Sequence, residues 1–276
     1  MPEGVEVKLS ADLIRPLLVG KKVVGVKTFS NSRYGNEDPD GLKEFLYDLS
    51  QKDIFIVDVQ TKGKFMYWSF SNDYYLTCTF GMTGQWSPIK GKHPCISITY
   101  MDKECENIYF NDPRHFGTIK FLYHHTPLRE KLAELGWDPL AHEMDEKWIN
   151  NVAHQLSRTA KPIAQVMMDQ GVFAGVGNYI RAEALYLAKM SPWRPSNLLK
   201  KEEVVSLCQA VVDVMKDSYA HQGATILTYK DAYGAEGKYS SCFKVYGQKT
   251  DPFGHKIVKE ETADKRTIHW CPTVQR

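Results

Sequence analysis

A change of period near residue 125 limits what this chain can fold into more than any other feature. Before it, short runs rich in β-branched and aromatic residues recur at Lys22–Phe29, Ile54–Gln60, Lys64–Phe70, Tyr75–Phe80, Ile96–Met101, Ile108–Phe110 and Thr118–Tyr123. Runs of this kind, separated by turn-prone pairs such as Lys62-Gly63, predict strands. Beyond it, apolar residues return every three or four positions, which predicts helices over Leu128–Leu135, Asp145–Leu156, Pro162–Asp169, Tyr179–Met190 and Glu202–His221. Two helices also fall in the strand-rich half. One spans residues 5–18, where Val7, Leu9, Leu13, Ile14, Leu17 and Leu18 make an apolar face that Gly20 ends; the other spans Leu42–Leu49. After His221 the pattern changes again. Gly223–Ser241 suits a mobile loop, and Phe243–Tyr246, His255–Lys259 and Arg266–Trp270 predict a small hairpin closed by Asp251-Pro252-Phe253-Gly254. The fold class is α+β: an N-terminal helix with an antiparallel β-sandwich or barrel, then a helical domain and a hairpin tail. The expected boundaries are 1–125, a linker over 126–145, 146–241 and 242–276.

Composition removes several classes. With 12% aromatic residues and no low-complexity tract, the chain is neither disordered nor collagen-like nor a coiled coil. The longest stretch without Asp, Glu, Lys or Arg, Tyr74–Ile89, is broken by Thr, Gly, Gln and Pro, so no membrane span is expected. The N-terminus carries acid where a secretory signal needs basic and then apolar residues. A soluble intracellular protein is expected. No two of the six cysteines are separated by only two residues, which suits free thiols in a reducing compartment and implies no metal. The net charge of +2 is uneven: residues 1–150 carry 18 basic and 21 acidic groups, residues 151–276 carry 17 and 12. A basic second half is compatible with nucleic-acid binding, and is also common without it.

The chemistry begins at the N-terminus. Methionine followed by proline is normally trimmed, leaving Pro2 with a secondary amine that titrates near neutral pH. Such an amine attacks a sugar C1′ or an aldehyde to give an iminium, and Glu3 beside it can shuttle protons. Proline is also ordinary at the start of a helix, so the pair alone decides nothing. In the same way Gly175-Val176-Gly177-Asn178 opens a helix where N–H groups can face a phosphate, yet glycine and asparagine equally serve caps and turns. Met82 and Phe116 read first as core residues, and Lys64 as one of many surface lysines.

Taken in order, these segments resemble the formamidopyrimidine-DNA glycosylase / endonuclease VIII family. Met1-Pro2-Glu3-Gly4-Val5-Glu6-Val7 is similar to its N-terminus, and Lys62-Gly63-Lys64-Phe65 to the strand carrying its active-site lysine. Phe80-Gly81-Met82-Thr83-Gly84 and Asp112-Pro113-Arg114-His115-Phe116-Gly117 resemble its two intercalation loops. Met168-Asp169-Gln170, Gly175–Ile180 and Ala182-Glu183 resemble its helix–two-turn–helix.

The resemblance implies a bifunctional glycosylase and abasic-site lyase that binds double-stranded DNA as a monomer, without cofactor. Pro2 would be the nucleophile, with Glu3, Lys64 and Arg266 managing protons and charge. Met82, Arg114 and Phe116 would fill the gap left by an extruded nucleotide. Gly177, Asn178, His93 and His115 are the expected DNA contacts. Most of the family closes its hairpin with four cysteines around zinc. Here Phe253 and Gly254 stand where a cysteine pair belongs, which resembles the zincless branch. Val5 and His115 depart from the usual proline and arginine. Gly4 resembles the endonuclease VIII side, which favours oxidised pyrimidines, whereas the wedge is shared with the formamidopyrimidine side. Two other readings stay open: a silent damage-binding protein, and an unrelated N-terminal-proline enzyme acting on small carbonyl compounds.

Overall fold

The computed structural model describes residues 2–225 and 232–276, which divide into two compact units. Met1 and part of the loop expected over Gly223–Ser241 lie outside the described residues. The first unit holds Met1–Pro2, Glu6–Glu134 and Ala224–Gly237; the second holds Glu3–Val5, Leu135–Gly223 and Lys238–Arg276.

In the first unit, helix α1 (Gly4–Leu18) turns Val7, Ala11, Ile14 and Leu18 into the core at helical spacing. Eight strands follow: β1 (Lys22–Thr28), β2 (Ile56–Lys62), β3 (Phe65–Phe70), β4 (Tyr74–Thr79), β5 (Gln85–Ser87), β6 (Pro94–Met101), β7 (Cys105–Asn111) and β8 (Thr118–Tyr123). They form two antiparallel sheets, ordered β1-β6-β7-β5 and β2-β3-β4-β8, whose apolar faces share one core. Trp68 of one sheet meets Trp86 of the other with ring centroids 4.7 Å apart. Truncating either buried ring would cost about 3–5 kcal/mol. Helix α2 (Leu42–Gln51) covers the second sheet through Phe45, which packs on Phe70, Tyr74 and Phe121. Helix α3 (His125–Ala133) ends the unit. The β-sandwich expected from the β-branched and aromatic runs is present. Strand β5 was not expected, being too short at three residues to show a period.

The second unit is built on α4 (Glu146–Ser157), α5 (Ile163–Val166), α6 (Asn178–Leu187) and α7 (Lys201–Ala220). Asp145 caps α4 by accepting from Trp148 N at 2.8 Å. Helix α5 is a single turn, shorter than the period suggested, because the chain turns twice before α6. Gln170 holds those turns: its Oε1 accepts from Gly175 N at 3.0 Å while its Nε2 donates to the Val176 and Met168 carbonyls. Among the described residues no helix is long and apolar enough to cross a membrane.

The tail departs from expectation in its register. The paired strands are β9 (Val258–Glu261) and β10 (Thr267–Trp270), so the turn is Thr262–Arg266 and not Asp251–Gly254. Phe243–Tyr246 is no strand, because the buried Glu183 carboxylate takes the N–H groups of Lys244, Val245 and Tyr246 and leaves none for a ladder. Ala182 and Tyr186 pack with Ile257, Ile268 and Cys271 beneath the hairpin.

Candidate functional site

The residues singled out from the sequence fall into two groups, one in each unit. In the first unit Met82 lies between β4 and β5, and Arg114, His115 and Phe116 lie between β7 and β8. A single buried carboxylate ties these two loops together. Asp112 Oδ2 accepts from Gly117 N at 2.7 Å, and its Oδ1 accepts from Arg114 N and from the Thr83 hydroxyl. Gly81 has φ +59°, and a Cβ there would lie 2.7 Å from the Phe116 carbonyl carbon, so the loops meet backbone to backbone.

Locked in this way, the loops bring Arg114 Nη1 to 3.3 Å from Met82 Sδ. Phe116 is 59% exposed, which removes the ordinary explanation that it fills the core. His93 lies beside them, its carbonyl accepting from Asp112 N at 2.9 Å. Together with Lys92, Asn111, Arg114 and Tyr233 it lines a cleft of about 550 Å³. His115 turns its ring inward, with Nδ1 3.7 Å from Cys95 Sγ, on a backbone at φ +57°. Burial, aided by the nearby Asp112 charge, pushes the Cys95 thiol up to about 11 and keeps it neutral.

Pro2, which is buried, and Lys64 also belong to the first unit. Lys64 does not project from a strand. With Gly63 at φ +56° it forms the two-residue turn between β2 and β3, across which Lys62 pairs with Phe65.

In the second unit Glu3, Gly177, Asn178 and Arg266 gather at two adjoining places. Glu3 is buried, and its carboxylate accepts from Tyr179 N at 2.9 Å and Ile180 N at 3.3 Å. It supplies the negative charge that the start of α6 favours. Gly177 makes room for it, since a Cβ there would lie 2.2 Å from Glu3 Cδ. These two N–H groups serve the chain's own carboxylate, so they are not the ones to hold the phosphate expected at this helix end. Asn178 instead donates from Nδ2 to the Thr267 carbonyl at 2.9 Å, and Thr267 follows Arg266 at the hairpin turn. Arg266 is exposed, with Nε 3.7 Å from Asp264 Oδ2. Helix α6 and the hairpin thus bring Asn178 and Arg266 together.

Three residues that shape these places had no role assigned from the sequence: Asp112 and Gln170, which stand inside the quoted motifs, and Arg181. For Asp112 the signal was the Asp-Pro step, which favours an Asx turn. For Arg181 it was the three-residue spacing from Asn178 on one helix face.

One group among the described residues could hold a metal: Asp251, His255 and Cys271, whose ligand atoms lie within 4.8 Å of one another. It does not match the four-thiolate zinc site of most of the family, because it offers one sulfur and three ligands. Both Asp251 oxygens are also engaged. Oδ1 accepts from the N–H groups of Phe253 and His255, and Oδ2 from the Tyr186 hydroxyl at 3.0 Å with the His255 ring at 2.9 Å.

The fold and these two groups define a class of protein: a β-sandwich with a proline at position 2 that joins two loops by one carboxylate, followed by a two-turn helical unit with a basic hairpin. Comparison with known proteins narrows the class. Residues 1–119 match the formamidopyrimidine-DNA glycosylase N-terminal domain, and residues 135–230 match the formamidopyrimidine-DNA glycosylase H2TH domain. The chain is 31% identical over 281 residues to a formamidopyrimidine-DNA glycosylase of Herpetosiphon aurantiacus, and 30% identical over 290 residues to one of Exiguobacterium sp.; both alignments cover the whole of each chain. The crystal structure of the MutM (Fpg) protein of Thermus thermophilus superposes with a TM-score of 0.83 at 27% identity, over 99% of this chain and 98% of that one. The Lactococcus lactis Fpg in complex with DNA containing an abasic site gives a TM-score of 0.83 at 24% identity over 99% of each chain, a likeness of fold. This chain belongs to the formamidopyrimidine-DNA glycosylase / endonuclease VIII family.

Proposed function

We propose that this protein excises oxidised bases through a covalent Pro2 intermediate, with a lean towards oxidised pyrimidines and towards ring-opened and hydantoin products. At the coarser level it is a DNA glycosylase and abasic-site lyase of base excision repair, as its family membership entails. Membership also sets aside an unrelated enzyme of small carbonyl compounds. In this reading the Pro2 nitrogen bonds to C1′ as the glycosidic bond breaks and the departing base takes a proton. The C1′–O4′ bond then breaks as O4′ takes a proton, which opens the sugar and leaves an iminium; this acts as an electron sink, so that elimination releases first the 3′ and then the 5′ phosphate. Glu3 handles protons, Lys64 and Arg266 answer phosphate charge, and Met82, Arg114 and Phe116 fill the vacated stack. Asn178, Gly177, His93 and His115 line the path of the DNA.

The observation that carries the reading is Glu3. A carboxylate fixed by two backbone N–H groups directly after a proline is a proton carrier held in place beside a nucleophile. The lean in substrate is supported by the resemblance of Gly4, which packing also requires, since a Cβ there would lie 2.6 Å from Gly175 Cα. The zincless hairpin is supported by the engaged oxygens of Asp251. Borohydride should trap a protein–DNA adduct on abasic DNA, and Pro2→Gly should abolish most of it. Absence of an adduct from protein whose N-terminal proline is verified by mass spectrometry would leave the silent damage-binding reading. A panel of duplexes, each with one oxidised base, decides the lean.

A further inference from the structure

Arg181 lies on α6 three residues after Asn178 and has no exposed surface. Its guanidinium makes two hydrogen bonds, from Nη1 to the Ala164 carbonyl at 3.1 Å and from Nη2 to Asn178 Oδ1. Its Nε is buried with no acceptor. No described carboxylate lies within ion-pair distance. Two acids act on it through their charge, Asp264 and Glu3, and both are hydrogen-bonded elsewhere: Glu3 to Tyr179 and Ile180, Asp264 to the Thr262 hydroxyl, with Arg266 beside it. Burial pulls the Arg181 pKa down, the Asp264 charge opposes this, and Arg266 adds to it. A buried cation with no carboxylate in direct contact is costly, and a fold that keeps one needs a reason.

The geometry supplies one. A guanidinium has donors only, so the Asn178 atom it touches is the carbonyl oxygen. That contact orients the carboxamide and sends Nδ2 the other way, towards the Thr267 carbonyl and the Arg266 turn. We propose that Arg181 is a positioning residue for the phosphate contact of Asn178 and Arg266, and that a nucleic-acid phosphate held there is its counter-charge. The inference rests on the reading that Asn178 and Arg266 hold phosphate.

The test is a binding titration of the whole chain on a short duplex carrying one abasic site, at several salt concentrations. Arg181→Gln keeps a donor for Asn178 and loses the charge. Its plot of log affinity against log salt should be shallower by about one counterion, with low-salt affinity down roughly tenfold. Arg181→Lys keeps the charge and loses the fork, so its slope should match the unmodified protein while affinity drops at every salt. Folded Gln and Lys variants that bind like the unmodified protein would make Arg181 a fold residue and overturn the inference. If neither variant folds, the unmodified protein decides: the slowly exchanging Arg181 Nε–H resonance should move when duplex is added, and a stationary resonance overturns the inference. Asn178→Ala and Arg266→Ala run alongside. If these leave binding unchanged, the phosphate reading itself fails and the inference with it; if they weaken binding and the Arg181 variants do not, the inference alone falls.

Discussion

Asp112 has no exposed surface, yet it accepts hydrogen bonds from two loops that meet nowhere in the sequence. Removing it would orphan the N–H of Gly117 and loosen the turn that aims Arg114 and Phe116. Each buried donor left unpaired costs about 1–3 kcal/mol. Asp112→Ala is therefore expected to destabilise by at least that much in denaturant unfolding. It should also lower excision from duplex more than from single strands, because the wedge loses its aim. Equal losses on both substrates would mean that Asp112 serves stability alone. Glu3 shows the same limit of legibility. Its place beside Pro2 announced it in the sequence, but its partners Tyr179 and Ile180 lie more than 170 positions away, at separations of 176 and 177.

The two loops and the hairpin act as whole elements. In the proposed wedge role, Met82 and Phe116 would offset part of the few kcal/mol or so that unstacking a base step costs. Met82→Ala and Phe116→Ala should slow excision in fully paired duplex and do little on the same lesion in single-stranded DNA. Equal effects on the two substrates would contradict the wedge. The hairpin rests on Asp251. Burial by itself would raise that carboxyl, but hydrogen bonds from the His255 ring and N–H, the Tyr186 hydroxyl and the Phe253 N–H hold it at about 2, below the ordinary 3.8. A depressed acid stabilises the fold above its unfolded pKa, so this contribution is in place above about pH 4 and is lost as pH falls towards 2. Asp251→Asn should flatten the acid limb of a stability–pH curve in that window. With Asp251 already engaged, purified protein should carry no stoichiometric zinc and keep its activity in chelator; one zinc per chain in elemental analysis would overturn the zincless assignment.

Across the whole molecule the net charge is only +2, so binding to DNA depends on where the cations stand and little on their sum. Arg266 stands at a hairpin turn, exposed and beside Asn178, and a phosphate carries no base identity. Arg266→Ala should weaken binding to damaged and undamaged duplex alike and flatten the salt dependence by about one counterion. A loss confined to the damaged duplex would place Arg266 at the lesion instead of the backbone.

The sequence by itself determined what depends on neighbours. The two periods marked β-sandwich and helices because alternation and helical spacing are local properties of a strand or a helix. The N-terminal proline, the loop motifs and the missing cysteine pair were likewise visible as short words. Only the tertiary structure decided where chain segments far apart compete for the same hydrogen bonds. Glu183 takes the N–H groups that would have made Phe243–Tyr246 a strand, and Glu3 takes those expected to face a phosphate. Lys64 sits in a turn because the chain bends over Gly63-Lys64, one residue later than the Lys62-Gly63 pair suggested. For Asp112 and Arg181 the sequence offers a turn signal and a helix spacing, but their roles emerge only in three dimensions, since burial and pairing, which give a charged side chain its role, are set by whatever packs around it.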